Sequence, residues 1–474
     1  MNIAWYARDS YLDLYVLLSR KLKDLGVLFS PFYVCHIEAE AARLRADYGI
    51  MDADILAQHL ETHDREYEAS DRIIRRFEAQ YDSIPLVRAL WSEIFELNVP
   101  EPLLVKHMIG HFRFWERFLS EYSIDVLITE RPSIMTTCVA WLVCKKLGIK
   151  FVSFVSVPIG NRLVFSSSWP GNFDGLDEIF SDYVSDRDSA NYRIASEYLE
   201  KMKNRPEKPG YAVSNTNASN VLKKIDSVEK LKDVIGKLCW YHKMTDYYVH
   251  KPVSSFLMNW FRISCNLLAH KCINMFDHNF IPDKERYFLF PLHSLSEKSA
   301  YSYLGYGYSD QLSIVRQISN CIPPGAWLYV KEHTGMFGEK NISFYRQIKA
   351  CRQVRLISPR ENSFYLLQKA EAVITLGSTM GFEAVLMDKP VILLGDVWYK
   401  NFPGVYQSDS IEQTAILMQN ASNISVPIDE RKHRMINAVL DISFKGVIQP
   451  KWGGLEPDNI SRLATALKRQ IENA

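Results

Sequence analysis

The chain has 474 residues, 47% hydrophobic and 23% charged, with 56 Lys and Arg against 55 Asp and Glu. That length exceeds one compact core and suits two domains. So even a charge balance excludes a broad electrostatic footprint for nucleic acid and leaves any anion site local.

The opening, MNIAWYARDSYLDLY, lacks a basic segment followed by a long apolar run. It reads as a strand entering a loop, not as a signal peptide. NIAWY, YLDLYVLLSRKLKDLG and VLFSPFYV predict strand, helix, strand over residues 1–34, and residues 36–122 are helical and heavily charged in pattern. A second α/β stretch comes next: IDVLIT (124–129), the helix SIMTTCVAWLVCKKLG (133–148) closed by Gly148, and KFVSFVSV (150–157). Strands alternating with helices imply a parallel sheet with right-handed crossovers. Residues 203–227 are rich in Pro, Asn, Ser and Lys and read as a loop. The aromatic and basic segment at 237–276 fits either a pair of helices bridging two domains or a peripheral membrane face. No stretch reaches about 18 uncharged apolar residues, which predicts no spanning helix.

The second half is more regular. Strands are expected at YFLFPL (287–292), AWLYVK (326–331), VRLIS (354–358), AVITL (372–376) and PVILLG (390–395), with helices at 309–320, 342–351, 362–370 and 381–388. Five strands with helices between them make a doubly wound sheet. Eight cysteines, none in a CxxC pair, argue against a zinc site or a disulfide framework and for a reducing, cytoplasmic setting.

In open α/β sheets ligands sit beyond the carboxyl ends of the strands. There the chain delivers His293 and Glu297, then Lys331, Glu332 and His333, then Gly377-Ser378-Thr379-Met380-Gly381, then Asp396 and Tyr399. Two glycines allow a tight turn and close approach to a ligand. Ser378 or Thr379 can cap the next helix, whose first amides can hold a phosphate. Glu383, one turn in, can accept from ribose hydroxyls. His333 can donate to a phosphate, with Lys331 beside it. Glu297 lies one helical turn from His293 and is open to two readings: a nucleophile at a sugar's anomeric carbon, or a cap stabilised by the helix dipole.

These residues carry a resemblance. The segments FLFPLHSLSEKSAYSYLG, SDQLSIVRQISNCIPPGAWLYVKEHTGMFG and VRLISPRENSFYLLQKAEAVITLGSTMGFEAVLMDKPVILLGDVWY, over residues 287–399, are similar to the capsular polysaccharide biosynthesis family. That family includes retaining transferases of Kdo and related keto-sugar acids such as pseudaminic acid. The resemblance implies an α/β, GT-B-like fold of two Rossmann-like domains facing across a cleft. It implies an acceptor domain over 1–275 with helical insertions, a nucleotide-sugar domain over 276–455, and a C-terminal helix at 456–474 packing back toward the first domain. It further implies a CMP-sugar donor, transfer with retention, and a bacterial surface polysaccharide or lipopolysaccharide acceptor.

By position, the family's strand-end His or Gln and the acid four residues on match His293 and Glu297, where this chain has Glu for the usual Asp. The family's Lys-x-His-Pro matches Lys331, Glu332 and His333, with Thr334 in place of Pro. Its phosphate- and ribose-binding helix start matches Ser378, Thr379 and Glu383. Glu130, Arg131, Asn161 and Arg162, beyond strands of the first half, are the acceptor candidates, each equally readable as a loop salt bridge. No metal and no separate cofactor is expected, nucleic acid is not a partner, and peripheral contact with the inner membrane is compatible with the pattern. Three other functions fit the same fold: a CDP-alcohol phosphotransferase of teichoic-acid type, a UDP-sugar epimerase, and a non-catalytic glycan-binding subunit.

Overall fold

The computed structural model describes residues 1–63, 70–82, 86, 90, 101–168, 172–182, 189–204, 261, 265–266, 275–293, 310–333, 340–423, 426 and 429–472. Among these, Met1–Asp174 and the segment from Ile442 onward form one compact α/β unit, and the segment from Gly175 to Asp441 forms a second.

Among the described residues the first unit is built on seven strands. They are β1 (Asn2–Tyr6), β2 (Ser30–Cys35), β3 (Ala53–Ile55), β4 (Val126–Glu130), β5 (Lys150–Val157), β6 (Arg162–Ser166) and, late in the chain, β13 (Phe444–Lys445). Their order is β13-β6-β5-β4-β1-β2-β3. Pairing is parallel from β3 to β5 and antiparallel at β5–β6 and β6–β13. The strands read as unbroken apolar runs because both faces are covered, and Ile3, Ala4, Trp5 and Tyr6 are all buried. On one face Phe112, Trp115 and Phe118 of the helix Glu101–Glu121 fill the core. On the other, the helix Tyr11–Asp24 meets the C-terminal helix Pro457–Glu472. Leu463, Leu467 and Ile471, spaced one turn apart, form the buried stripe of that last helix. Lys468 donates to the Leu25 carbonyl at 2.9 Å.

Among the described residues the second unit holds six strands, all parallel. These are β7 (Arg286–Pro291), β8 (Ala326–Lys331), β9 (Val354–Ile357), β10 (Ala372–Thr375), β11 (Val391–Leu393) and β12 (Val405–Gln407). Their order is β12-β11-β10-β7-β8-β9. Counted from β7 this is 6-5-4-1-2-3, the order of doubly wound nucleotide-binding sheets, with its switch point between β7 and β10. The helices start where side chains satisfy their first amides. Asp310, Asn341, Asn362 and Ser410 each accept from the second or third amide of the helix they precede.

Two findings differ from the sequence expectations. The resemblance implies a division near residue 275, whereas the helices Leu176–Asp182 and Ala190–Asn204 lie with the second unit. Phe180 packs on Phe402 with centroids 5.1 Å apart, and Ser196 bonds His433 at 3.0 Å. Second, β3, β6, β12 and β13 have no counterpart among the expected strands; β3, β12 and β13 have two or three residues each, too few to carry a period. The charged stretch 36–122, expected to be helical, holds, among the described residues, separate helices at Glu38–Tyr48, Leu56–His63, Asp71–Tyr81 and Glu101–Glu121. The 203–227 loop and the 237–276 segment lie almost entirely outside the described residues. Among the described residues no helix is long and apolar enough to cross a membrane.

Candidate functional site

Parallel strands deliver their carboxyl ends to one edge. In the second unit β8, β7, β10 and β11 are consecutive neighbours, so the residues just beyond them are spaced by about 5 Å per strand. His293 lies beyond β7 and is 3% exposed. Gln311, the first residue of its helix, clamps it: Gln311 Oε1 accepts the His293 amide at 2.8 Å, and Gln311 Nε2 donates to its carbonyl at 3.3 Å. Glu297 lies outside the described residues.

At the end of β8, Lys331 is 3% exposed. Its ammonium faces the carbonyls of Pro359 and Glu332 at 3.4 and 3.5 Å, the outer limit of a hydrogen bond. It is an interior cation under the rim. His333 is partly exposed, and its backbone N–H donates to Glu332 Oε1 at 2.6 Å.

The turn after β10 is the most constrained. Thr375 Oγ1 accepts from the amides of Gly377 and Ser378 at 3.2 and 3.0 Å and donates to Ser378 Oγ at 3.1 Å. Gly377 takes a φ of 150°, open to glycine. Tyr399, buried after β11, donates from its phenol to the Ser378 carbonyl at 2.6 Å. Burial, then the charge of Glu383, raises the Tyr399 phenol, so it stays protonated as a donor. The expected cap is not made: Ser378 stands at the cap position of the helix Thr379–Leu386, but its side chain does not bond the helix amides. The Ser378 side chain therefore leaves the leading amides unclaimed, and a helix start of this kind suits an anion. Glu383 sits in the same helix and is 8% exposed.

Gly381 has a visible reason. A Cβ there would lie 2.6 Å from Tyr399 Oη and 3.0 Å from Thr375 Cγ2. Gly381→Ala is expected to displace Tyr399 and cost about 1–3 kcal/mol by overpacking. Thermal unfolding of the variant checks this, and an unchanged midpoint would remove the constraint.

The remaining candidates belong to the first unit. Glu130, at the end of β4, accepts from Arg8 Nε at 2.7 Å, and both side chains are nearly buried. The Arg8 guanidinium stays charged: burial opposes this, but Glu130 outweighs it. Beside them Tyr6 bonds His36, whose imidazole is held neutral by burial and then by Arg8. Burial raises the Glu40 carboxyl to about 6 although three backbone amides (Asp9, His36 and Ile37) donate to it. Arg162 donates to both Oγ and the carbonyl of Ser443 at 2.7 Å, tying β6 to the strand beside it. Asn161 is exposed, and its carbonyl accepts from Gly446. Arg131 is exposed. The structure thus brings His293, Lys331, His333, Gly377, Ser378, Thr379 and Glu383 to one unit. It gives Glu130 and Arg162 structural partners.

Sequence reasoning passes over Gln311, Thr375, Tyr399 in its supporting role, Lys340, Tyr345 and Arg8. Arg8 is within its reach, since it lies just beyond β1 as the other candidates lie beyond their strands. Among the described residues no group of three or more His, Cys, Asp or Glu is placed to hold a metal ion.

A family model described as "Capsule polysaccharide biosynthesis protein" matches residues 188–426, half of the chain. The capsule polysaccharide modification protein LipA of Neisseria meningitidis serogroup B is 34% identical over 76 residues, 16% of this chain. The serogroup A counterpart gives the same values. The matched stretch spans only 11% of those relatives' length. Among solved structures, the beta Kdo 2,7 transferase of Thermosulfurimonas dismutans KpsC is 11% identical, with a TM-score of 0.38, over 77% of this chain and 95% of that one. The beta Kdo 2,4 transferase of the same organism gives 14%, 0.37, 73% and 87%. The UDP-GlcNAc 2-epimerase of Neisseria meningitidis gives 10% and 0.29 over the whole of both chains. Similarities this low leave the fold to be read from the strand order above.

Proposed function

The chain belongs to the capsule polysaccharide biosynthesis family, and from that premise we propose that it is a glycosyltransferase of bacterial surface glycans. It moves an acidic keto-sugar, Kdo or a nonulosonic acid such as pseudaminic acid, from a CMP donor to a polysaccharide or lipopolysaccharide acceptor, with retention. The observation that supports this best is the turn after β10. Its backbone is held by Thr375 and Tyr399, its helix amides are not capped by the Ser378 side chain, and it stands at the switch point where doubly wound sheets bind nucleotides.

In this reading the amides of Thr379 and Met380 and the Ser378 hydroxyl hold the CMP phosphate. His333 donates to it from two strands away, and Glu383 accepts from the ribose. Lys331 adds positive potential from beneath. CMP is a good leaving group, so fixed donors at its phosphate supply much of the rate without a strong general acid. The donor's own carboxylate is a second anion for the same rim. The acceptor binds at the first unit, where Arg131 and Asn161 are exposed.

The test is a binding screen of CMP, CDP, UMP, UDP and GDP by calorimetry. CMP is expected to bind selectively. His333→Ala and Ser378→Ala are each expected to weaken CMP by about 1–3 kcal/mol, the range for a charge-assisted hydrogen bond. Preference for a uridine nucleotide, or unchanged CMP affinity in both variants, would overturn the reading.

A further inference from the structure

We infer that Glu332, gripped by Lys340 and Tyr345, is a positioning residue that sets His333 toward the nucleotide phosphate; the inference rests on the donor-site reading above. Glu332 is 1% exposed at the end of β8. Its Oε1 accepts from the His333 backbone N–H at 2.6 Å and from Lys340 Nζ at 2.8 Å. Its Oε2 accepts from Lys340 Nζ at 3.2 Å and from the Tyr345 hydroxyl. Burial, then the Glu332 charge, raises the Tyr345 phenol, which keeps it a donor.

A buried ion pair adds little net stability over apolar residues of the same volume. What this one supplies is direction. One carboxylate joins His333 to Lys340 and to Tyr345 in the helix Ile342–Lys349, so the peptide between residues 332 and 333 is pinned from two elements. The residues doing the pinning are buried, and the one they pin is partly exposed at the rim. That is the arrangement expected of a rigid mount for a ligand-facing side chain.

The experiment is a thermodynamic cycle on CMP affinity. The variant Glu332→Met/Lys340→Met/Tyr345→Phe removes the network without stranding a charge, and its unfolding without ligand is recorded alongside. Its CMP affinity is expected to fall about five- to twenty-fold, while the same three changes in a His333→Ala background alter affinity less than about two-fold, the non-additivity of coupled groups. If the triple variant does not fold, Glu332→Gln, which exchanges one acceptor oxygen for a donor, carries the same cycle. Wild-type affinity in the network variant, or an equal loss with and without His333, overturns the inference. A wild-type protein that does not bind CMP overturns the donor-site reading instead.

Discussion

Glu297→Gln is expected to abolish sugar transfer, lowering turnover by several orders of magnitude while fold and CMP affinity persist. The reason is chemical. In the proposed reaction the Glu297 carboxylate attacks the anomeric carbon as the bond from that carbon to the CMP phosphate oxygen breaks. The acceptor hydroxyl then displaces the carboxylate, giving up its proton to solvent, and two inversions give retention. An amide of nearly the same shape cannot form the ester, and covalent catalysis is lost as a unit. Position supports the assignment: Glu297 comes a few residues after β7, and His293, four positions before it, is clamped by Gln311. Three measurements bear on it: transfer by the variant, the anomeric configuration of the product, and a search by mass spectrometry for a sugar adduct on the Glu297 peptide. Near-normal transfer by Glu297→Gln, or an inverted product, would end the proposal and return Glu297 to a helix-start role.

The second large effect is on stability. Arg8→Met is expected to destabilise the first unit by about 3–5 kcal/mol, the cost of leaving one member of a buried ion pair uncompensated. Arg8 and Glu130 side chains are 11% and 13% exposed, and the variant leaves the Glu130 carboxylate without the Arg8 guanidinium, beside buried Tyr6 and half-buried Tyr11. The double variant Arg8→Met/Glu130→Met is expected to regain most of the loss, because paired charges are often replaced by apolar groups at little net cost. Thermal unfolding of the three proteins decides it. A single variant as stable as wild type, or a double variant no better than the single, would contradict the account. CMP affinity is expected to be unchanged throughout, since the pair lies in the other unit from the donor rim.

Much of the second unit is legible from local pattern. AWLYVK appears as β8 with the same limits, and the other four expected strands are displaced by at most two residues at either end. A strand buried on both faces must be apolar throughout, and a polar residue must appear where it leaves the sheet. That rule locates His293, His333 and the Gly377–Thr379 turn without any coordinates. The division of the chain is less legible. The helices at 176–182 and 190–204 carry nothing in their own periodicity to say which sheet they cover.

What the sequence determined by itself was therefore the alternation of strands and helices and the residues that emerge at strand ends, since both depend on neighbours a few positions apart. The tertiary structure alone decided which emerging side chains are left for a ligand. Arg162 and Ser443 are 281 positions apart, Arg8 and Glu130 are 122 apart, and Ser378 and Tyr399 are 21 apart. Hydrogen bonds between such residues exist only once the chain has folded, and each one changes what a polar side chain can do. Glu130 and Arg162 became parts of the scaffold in this way. The Ser378 hydroxyl was turned back to Thr375 and does not cap the helix that follows it.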